Sequence, residues 1–555
     1  MRLDFKTFTG QKGRARAAET KRSHPIGPDS RGGSPPSEAE IAGFLANAAS
    51  YPIRPERVDV IETHAARIFL AGEDAFKVKK HVHLPYLDFT TLAQRQAALA
   101  RELEINRTAA PDIYLGLERI ARTHDGKLAF GGDGETVEIV LHMRRFAQSD
   151  LLSHVADQGR IDQAMAKAMA DVVFAAHEAA TVATSGDGIA RYDQIISDVA
   201  EACARSGDPV IGAQRAEFEA LARAHLDRVR TLLAERARAG FRRRCHGDLH
   251  LGNLVLWKGR PTPFDALEFD EALATIDILY DLAFLLMDLE HRGLRARANN
   301  VLNRYLWRAD EQNLEGLAAL PLFLAVRAGV RTMVDLHRIA GADRALPDVL
   351  DDARRYLAQA TQYLAPAQPC LVAVGGLSGS GKSTLAAAIA PRIGLGPGAI
   401  HLRSDLERKR LHGVGETDRL PDEAYTQTVT EQVYAFLNEK AARVLATGYS
   451  VVVDAVHASP QERAAIARVA EAARVPFVGL WLDAPGQILK SRVTARTGDA
   501  SDATADVVAR QLHYELGDIT WHRLDAGGVF EALCRKAAAL IPLLSAPQAQ
   551  EPSTT

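Results

Sequence analysis

Gly376-Leu377-Ser378-Gly379-Ser380-Gly381-Lys382-Ser383 has the spacing G-x4-G-K-[ST], and the chemistry of that pattern is phosphate binding. Glycines let successive backbone N–H groups close around phosphate oxygens, and the start of a following helix adds favourable potential for an anion. Lys382 then reaches the β- and γ-phosphates of a nucleotide, and the Ser383 hydroxyl is placed to ligate Mg2+. Ser378, Ser380 and Thr384 complete the loop. The apolar run Leu371-Val372-Ala373-Val374 before it and Thr384-Leu-Ala-Ala-Ala-Ile-Ala390 after it read as strand and helix, the context the motif requires. Further on, Ala399–Arg403 reads as a strand ending in Ser404-Asp405. A carboxylate at the carboxyl edge of an open α/β sheet faces the ligand crevice, so Asp405 can take or hold the proton of an attacking hydroxyl. Capping of a helix over 406–411 is a second role open to it; Arg408 follows one turn on. The strand Ser450–Asp454 runs through three valines to its terminal acid, and Asp454 suits Mg2+ held through water. Arg463 follows on a helix. Arg492 and Arg496 are four apart and are expected on one helical face, where two guanidiniums meet the charge spread over a transferring phosphoryl group. Gly498-Asp499-Ala500-Ser501-Asp502 then breaks that helix as a mobile lid does.

A second cluster stands in the first half of the chain. His246-Gly247-Asp248-Leu249-His250-Leu251-Gly252-Asn253 is followed by Phe264-Asp265. An aspartate with an asparagine five residues on is a phosphoryl-transfer arrangement: the acid positions the acceptor hydroxyl and the amide binds Mg2+. The strand Leu254–Trp257 and a turn bring Asp265 to the same metal. His246 and His250 lack the further ligands of a zinc site and read as hydrogen-bonding the loop. The acids Glu268, Asp270 and Glu271 read as a solvated acidic loop.

Three short strands are expected over residues 57–80 and a long helix over 90–108. A strand pair follows at 116–121 and 136–143, and apolar residues then recur every three or four from 150 to 240 and from 278 to 364, which is helical spacing. Pro366-Ala-Gln-Pro369 breaks the pattern, and an alternation of strands and helices to about 543 implies a parallel sheet. The expected fold is thus multidomain, α+β followed by α/β. Its parts are a basic tail over 1–40, too poor in large apolar residues to fold alone, modules over 41–365 and 366–543, and a frayed tail over 544–555.

The segment from His246 to Asn253 resembles the H-G-D-x-H-x-x-N of the aminoglycoside phosphotransferase and choline kinase-like family, a relative of protein kinases. That resemblance implies a bilobal fold with Asp248 as catalytic base, Asn253 as metal ligand and Asp265 as the main metal-binding acid; Asp281 matches a structural aspartate. It also implies a lysine on the small lobe and a helix glutamate that fixes it. Lys77, with Lys79 beside it, and Glu102 stand there. The segment 137–146 takes the place of the hinge. No G-x-G-x-x-G loop precedes Lys77, and Leu70-Ala-Gly-Glu-Asp74 is a poor substitute. The second module resembles the small-substrate P-loop kinases, such as gluconate kinase, adenylylsulfate kinase and zeta-toxin-like enzymes.

At 555 residues the chain has room for two to four units of about 150 residues. A net charge of −3 gives no global pull towards nucleic acid or an anionic surface. Four scattered cysteines without a CxxC pair fit a reducing cytoplasm. No uncharged apolar run reaches the roughly 18 residues of a membrane span, and the basic N-terminus lacks the apolar core of a secretory signal. The expected function is ATP- and Mg2+-dependent phosphoryl transfer, in both modules, to hydroxyl groups of small molecules. Two alternatives stand beside it: a C-terminal kinase regulated by a non-catalytic, ligand-sensing N-terminal module, and a nucleic-acid end kinase. The near-neutral charge and the lack of an aromatic-and-basic array disfavour the last.

Overall fold

A computed structural model describes residues 37–541 apart from His64, Pro85, Tyr86, Asp343 and Thr497. The frayed tail expected at 544–555, and all but the last four residues of the tail expected at 1–40, lie outside the described residues. The chain forms two compact units: Met1–Gln158 with Arg244–Thr275, and Gly159–Arg243 with Ile276–Thr555. These units do not divide at the Pro366 break. The helices of 159–243 and 276–365 pack with the P-loop module.

The first unit is built on a six-stranded antiparallel sheet in the order Val58–Glu62, Ala66–Ala71, Asp74–Lys79, Glu135–Arg144, Tyr114–Arg122, Leu128–Phe130. The helix Leu92–Ala109 covers one face of it. A capping box fixes the start of this helix: Gln94 N–H donates to Thr91 Oγ1 at 3.3 Å, and Thr91 N–H to Gln94 Oε1 at 2.9 Å. Its buried residues, Arg95, Leu99, Glu102 and Asn106, fall at helical spacing and form one face. Leu99 packs there with Ile68, Ile113, Leu141 and Met143. The polar members are fastened individually. Arg95 Nη2 meets Glu138 Oε2 at 2.8 Å, Glu102 meets two lysines, and Asn106 Oδ1 accepts from Ala266 N–H at 2.8 Å. The hairpin Leu254–Trp257 with Arg260–Pro263 carries the chain from Asn253 to Asp265.

In the second unit five parallel strands run in the order Ile400–Arg403, Val451–Asp454, Leu371–Gly376, Phe477–Asp483, His522–Asp525. The central strands are apolar throughout because both faces are covered. Val372, Val374 and Leu480 meet Leu385, Ile389 and Leu533 in one core; each fully buried side chain contributes about 1.5–3 kcal/mol. The edge strand Ile400–Arg403 is closed by the helix Arg295–Arg308. Asn299 Nδ2 donates to Ala399 O at 3.0 Å, and His401 N–H donates to Asn303 Oδ1 at 2.7 Å. Two asparagines four apart thus substitute for a neighbouring strand and block edge pairing. The contact continues through Trp307 Nε1 to Leu406 O at 3.4 Å and Arg443 Nε to Glu315 Oε1 at 2.8 Å. Asn313–Ala340 is long and apolar enough to cross a membrane by composition, but 94% of its apolar window is buried inside the protein.

Candidate active sites

In the first unit, strand and helix bring Lys77 and Glu102 together as expected. Lys77 Nζ lies 2.5 Å from Glu102 Oε1 and 3.0 Å from Asp265 Oδ1. Lys79 is equally engaged: its Nζ lies 2.7 Å from Glu102 Oε2 and 2.8 Å from Glu268 Oε1. One glutamate therefore serves two lysines, and Lys77 also touches Asp265. Burial alone would lower the Lys77 pKa, yet the carboxylates of Asp265, Glu102 and Glu268 hold it well above the ordinary lysine value. Asp265 takes a left-handed backbone, φ 60°, and its N–H donates to Tyr114 Oη at 3.0 Å.

The loop below is a closed hydrogen-bond circuit. Asn253 Nδ2 donates to Asp248 Oδ2 and to Asp248 O, both at 2.9 Å. That engagement of the amide nitrogen leaves Oδ1 as the atom able to ligate a metal. Asp248 Oδ1 is buried and has no hydrogen-bond partner among the described residues. His246 Nε2 donates to Phe264 O at 3.0 Å and its Nδ1 accepts from Asp248 N–H at 3.3 Å, while His250 Nδ1 accepts from Gly252 N–H at 3.0 Å. Both histidines thus shape the loop. The solvated acidic loop does not hold for Glu268, which is buried against Lys79 because the segment folds back under the strand. Asp270 caps the short helix Glu271–Ala274, and Glu271 pairs with Arg101. Leu70–Asp74 is only the hairpin turn at the end of the strand remote from Lys79. In the second unit Asp281 is buried against His177 Nε2 at 3.1 Å.

The P-loop module places Gly376, Gly379 and Gly381 at φ 138°, 82° and 90°, values that side chains with a Cβ rarely adopt. The chain thereby turns from the strand into the helix Lys382–Ile389. Ser378 N–H donates to Gln511 Oε1 at 2.7 Å, Lys382 Nζ donates to Leu377 O at 3.1 Å, and Ser380 Oγ is buried without a partner. Ser383 is half-buried and Thr384 exposed at the first turn. Burial lowers the Lys382 pKa against the pull of Asp454 and Asp405. Asp454 ends its strand 3% exposed, with His401 Nε2 at 3.6 Å and Arg403 Nε at 3.7 Å from Oδ2. Burial opposes its ionisation, but His401, Arg403 and Lys382 bring its pKa down to about 2.

Asp405 sits inside the helix Ser404–Leu411, two positions past the capping residue Arg403, and its carboxylate makes no hydrogen bond among the described residues. Arg408 is buried, donating to Ala424 O at 2.6 Å and stacking on Tyr425. Arg492 and Arg496 do not share a helical face. The helix Gly486–Ala495 ends first, because Arg496 is extended at ψ 135°. Arg492 Nη2 donates to Ala526 O at 2.9 Å; Arg496 Nη2 donates to Ser501 O at 2.9 Å and Ala503 O at 3.2 Å. The segment expected as a mobile lid is held at Asp502, which accepts from Lys409 Nζ at 2.9 Å and Tyr425 Oη at 2.6 Å. Arg463 binds backbone carbonyls of His457, Ala458, Leu516 and Asp518.

Three residues around Asp454 escaped the sequence reading: His401, Arg403 and His457. For the first two a signal existed, polar side chains at alternate positions of an otherwise apolar strand. His457 is 1% exposed, with Tyr434 and Trp521 rings at 5.4 and 5.1 Å and no hydrogen bond at either ring nitrogen.

The AAA domain family (AAA_33) matches residues 371–515, the span of the P-loop module. Among solved structures the chain is similar to the adenylylsulfate (APS) kinase CysC of Mycobacterium tuberculosis, in complex with AMPPNP and APS. That likeness has 21% identity and a TM-score of 0.24, over 32% of this chain and 98% of that one. It is also similar to a choline/ethanolamine kinase family protein of Mesorhizobium loti, with 13% identity and a TM-score of 0.34, over 58% of this chain and 99% of that one. The uncharacterized protein Rv2004c of Mycobacterium tuberculosis is 32% identical over 488 residues, which cover 86% of this chain and 94% of the relative. Across both modules, therefore, the chain belongs to the same family as Rv2004c.

Proposed function

We propose that the chain is an ATP-dependent phosphotransferase with two active modules, residues 41–365 and 366–543, each moving the γ-phosphate of ATP to a hydroxyl group of a small molecule. The observation that carries this reading is the glycine turn at 376–381, which ends at the helix of Lys382 and Ser383 with Asp454 on the neighbouring strand. Phosphoryl transfer asks little of a protein beyond positioning and electrostatic stabilisation. In this reading Lys382 and the loop amides grip the phosphates, Asp405 receives the proton of the acceptor hydroxyl, and Arg492 and Arg496 serve the nucleotide and the transferring group. In the first module Lys77, fixed by Glu102, grips the phosphates, and Asp248 is the base. Its buried and partnerless Oδ1 is the atom that an acceptor hydroxyl would satisfy. Oxygen donors of this kind fit Mg2+: Asn253 and Asp265 would hold it in the first module, Ser383 and Asp454 in the second. When bound, Mg2+ neutralises charge on the β- and γ-phosphates. ATP supply goes with a cytoplasmic setting.

One observation favours a second reading, in which the first module senses a nucleotide without turning it over. The connection of 63–65 between its first two strands is too short for a glycine-rich loop. The readings are separated by ADP release over pooled sugars, sugar acids, amino alcohols, nucleosides and aminoglycosides. We expect one pool to lose its effect in Lys382→Ala and a different pool to lose it in Asp248→Ala. Activity that never depends on Asp248 leaves the sensing role; no stimulated turnover with any pool refutes the small-molecule kinase.

A further inference from the structure

Arg403 of the P-loop module lies between two carboxylates, Asp454 and Asp499, without closing on either. Its side chain is 13% exposed, yet its Nε has no hydrogen-bond partner. Nη2 faces both carboxylate oxygens of Asp499, at 3.4 Å each. A charge-assisted bond to a carboxylate closes to about 2.7–2.9 Å, so this contact has the orientation of a carboxylate complex without its closeness. Asp499 is itself committed elsewhere: its Oδ1 accepts from Ser501 N–H at 2.9 Å and lies 3.8 Å from Arg496. On its other side Arg403 Nε lies 3.7 Å from Asp454 Oδ2, which His401 Nε2 also faces at 3.6 Å without closing a hydrogen bond. Buried donors left in this state are costly, and planar guanidinium forks recur where a carboxylate or phosphate is gripped from two sides. Arg403 stands two residues before Asp405, at the carboxyl edge of the sheet.

Resting on the phosphotransferase reading of this module, we propose that its acceptor is a hydroxyl compound carrying an anionic group, a carboxylate or a phosphate, which takes the place of Asp499 on Arg403. The anion anchors the acceptor at Arg403, and the neighbouring Asp405 meets its hydroxyl. Asp499 then holds the guanidinium oriented until the acceptor displaces it. Specificity follows from charge: a neutral polyol of the same size leaves Arg403 with Asp499.

The test is calorimetric titration of the full chain saturated with Mg2+ and AMP-PNP, which fills the phosphate loop before any anion is added. D-Gluconate and glycerol 3-phosphate serve as anionic probes, sorbitol and glycerol as their neutral counterparts. We expect an anionic probe to bind at least tenfold more tightly than its counterpart, and the two anions to distinguish carboxylate from phosphate. Arg403→Gln should weaken that binding at least tenfold while AMP-PNP affinity changes less than twofold. Asp499→Asn, which removes the competitor and leaves Arg403 intact, should strengthen it severalfold. Neutral probes binding as well as anions, no anion binding, or anion binding indifferent to both substitutions overturns the proposal. So does Arg403→Gln weakening AMP-PNP instead, which would assign Arg403 to the nucleotide. A P-loop module that takes up no AMP-PNP refutes the phosphotransferase reading itself, and the proposal with it.

Discussion

Glu102→Gln should loosen the first unit more than any other single isosteric change there. The carboxylate is 1% exposed and divides its oxygens, Oε1 to Lys77 at 2.5 Å and Oε2 to Lys79 at 2.7 Å. A glutamine keeps one acceptor and turns an NH2 donor against the second ammonium. Each lysine retains another acid, Asp265 at 3.0 Å for Lys77 and Glu268 at 2.8 Å for Lys79, so neither charge is abandoned. Breaking a buried pair costs about 3–5 kcal/mol, and the retained partners put this change at the lower end, about 3 kcal/mol. Hydrogen exchange reads such a local opening directly. Peptides covering Asp74–Lys79 should exchange roughly a hundredfold faster, since about 1.4 kcal/mol is tenfold. If the second ammonium is the source, Lys79→Met should relieve part of the loss, and the double variant should be less destabilised than the sum by about 1–2 kcal/mol. An exchange rate within threefold of wild type, or strict additivity, refutes the shared-glutamate account.

Gly379→Ala asks for a Cβ 2.5 Å from the backbone oxygen of Leu489 at φ 82°; we expect AMP-PNP affinity to fall at least tenfold, measured by calorimetry. His457 is brought to a pKa of about 3 by burial, with Lys382 and Arg463 assisting and Asp454 opposing. Because its folded value lies below the ordinary 6.5, its contribution is complete above that pH and is lost as pH falls towards 3. Between pH 7 and pH 5 it should remove about 2 kcal/mol, so the decline that urea unfolding shows in wild type should be smaller by about that amount in His457→Phe. Asn303→Ala leaves His401 N–H at the sheet edge without its acceptor, and should cost about 1–2 kcal/mol in the same assay.

Local physics made much of this fold legible. The strands of 58–79 and the P-loop strands ending at Val374, Arg403 and Asp454 were readable because they are short, rich in β-branched and other apolar residues and bounded by turn residues, and the glycine spacing at 376–381 has few other uses. Lys77 and Glu102 could be paired because the resemblance of the 246–253 segment implies a small-lobe lysine and a helix glutamate that fixes it. What failed was long-range. Nothing near Glu268 in sequence announces Lys79, 189 residues away, and the helix termination that separates Arg492 from Arg496 depends on backbone carbonyls at 501 and 503. The packing of the 276–365 helices on the P-loop sheet rests on Asn299 and Asn303, which in sequence are two unremarkable polar residues on a helix. Arg403 is marked only by the alternation of a four-residue strand, which is too short to separate a crevice residue from a solvated one.

Nucleotide stoichiometry tests the claim of two ATP-using modules most directly. Calorimetry with Mg2+ and AMP-PNP should find two equivalents per chain; Lys382→Ala should remove one and Asp265→Asn the other, each leaving its companion intact. A single equivalent, lost entirely in Lys382→Ala and untouched by Asp265→Asn, would contradict the account and leave the first module without a nucleotide.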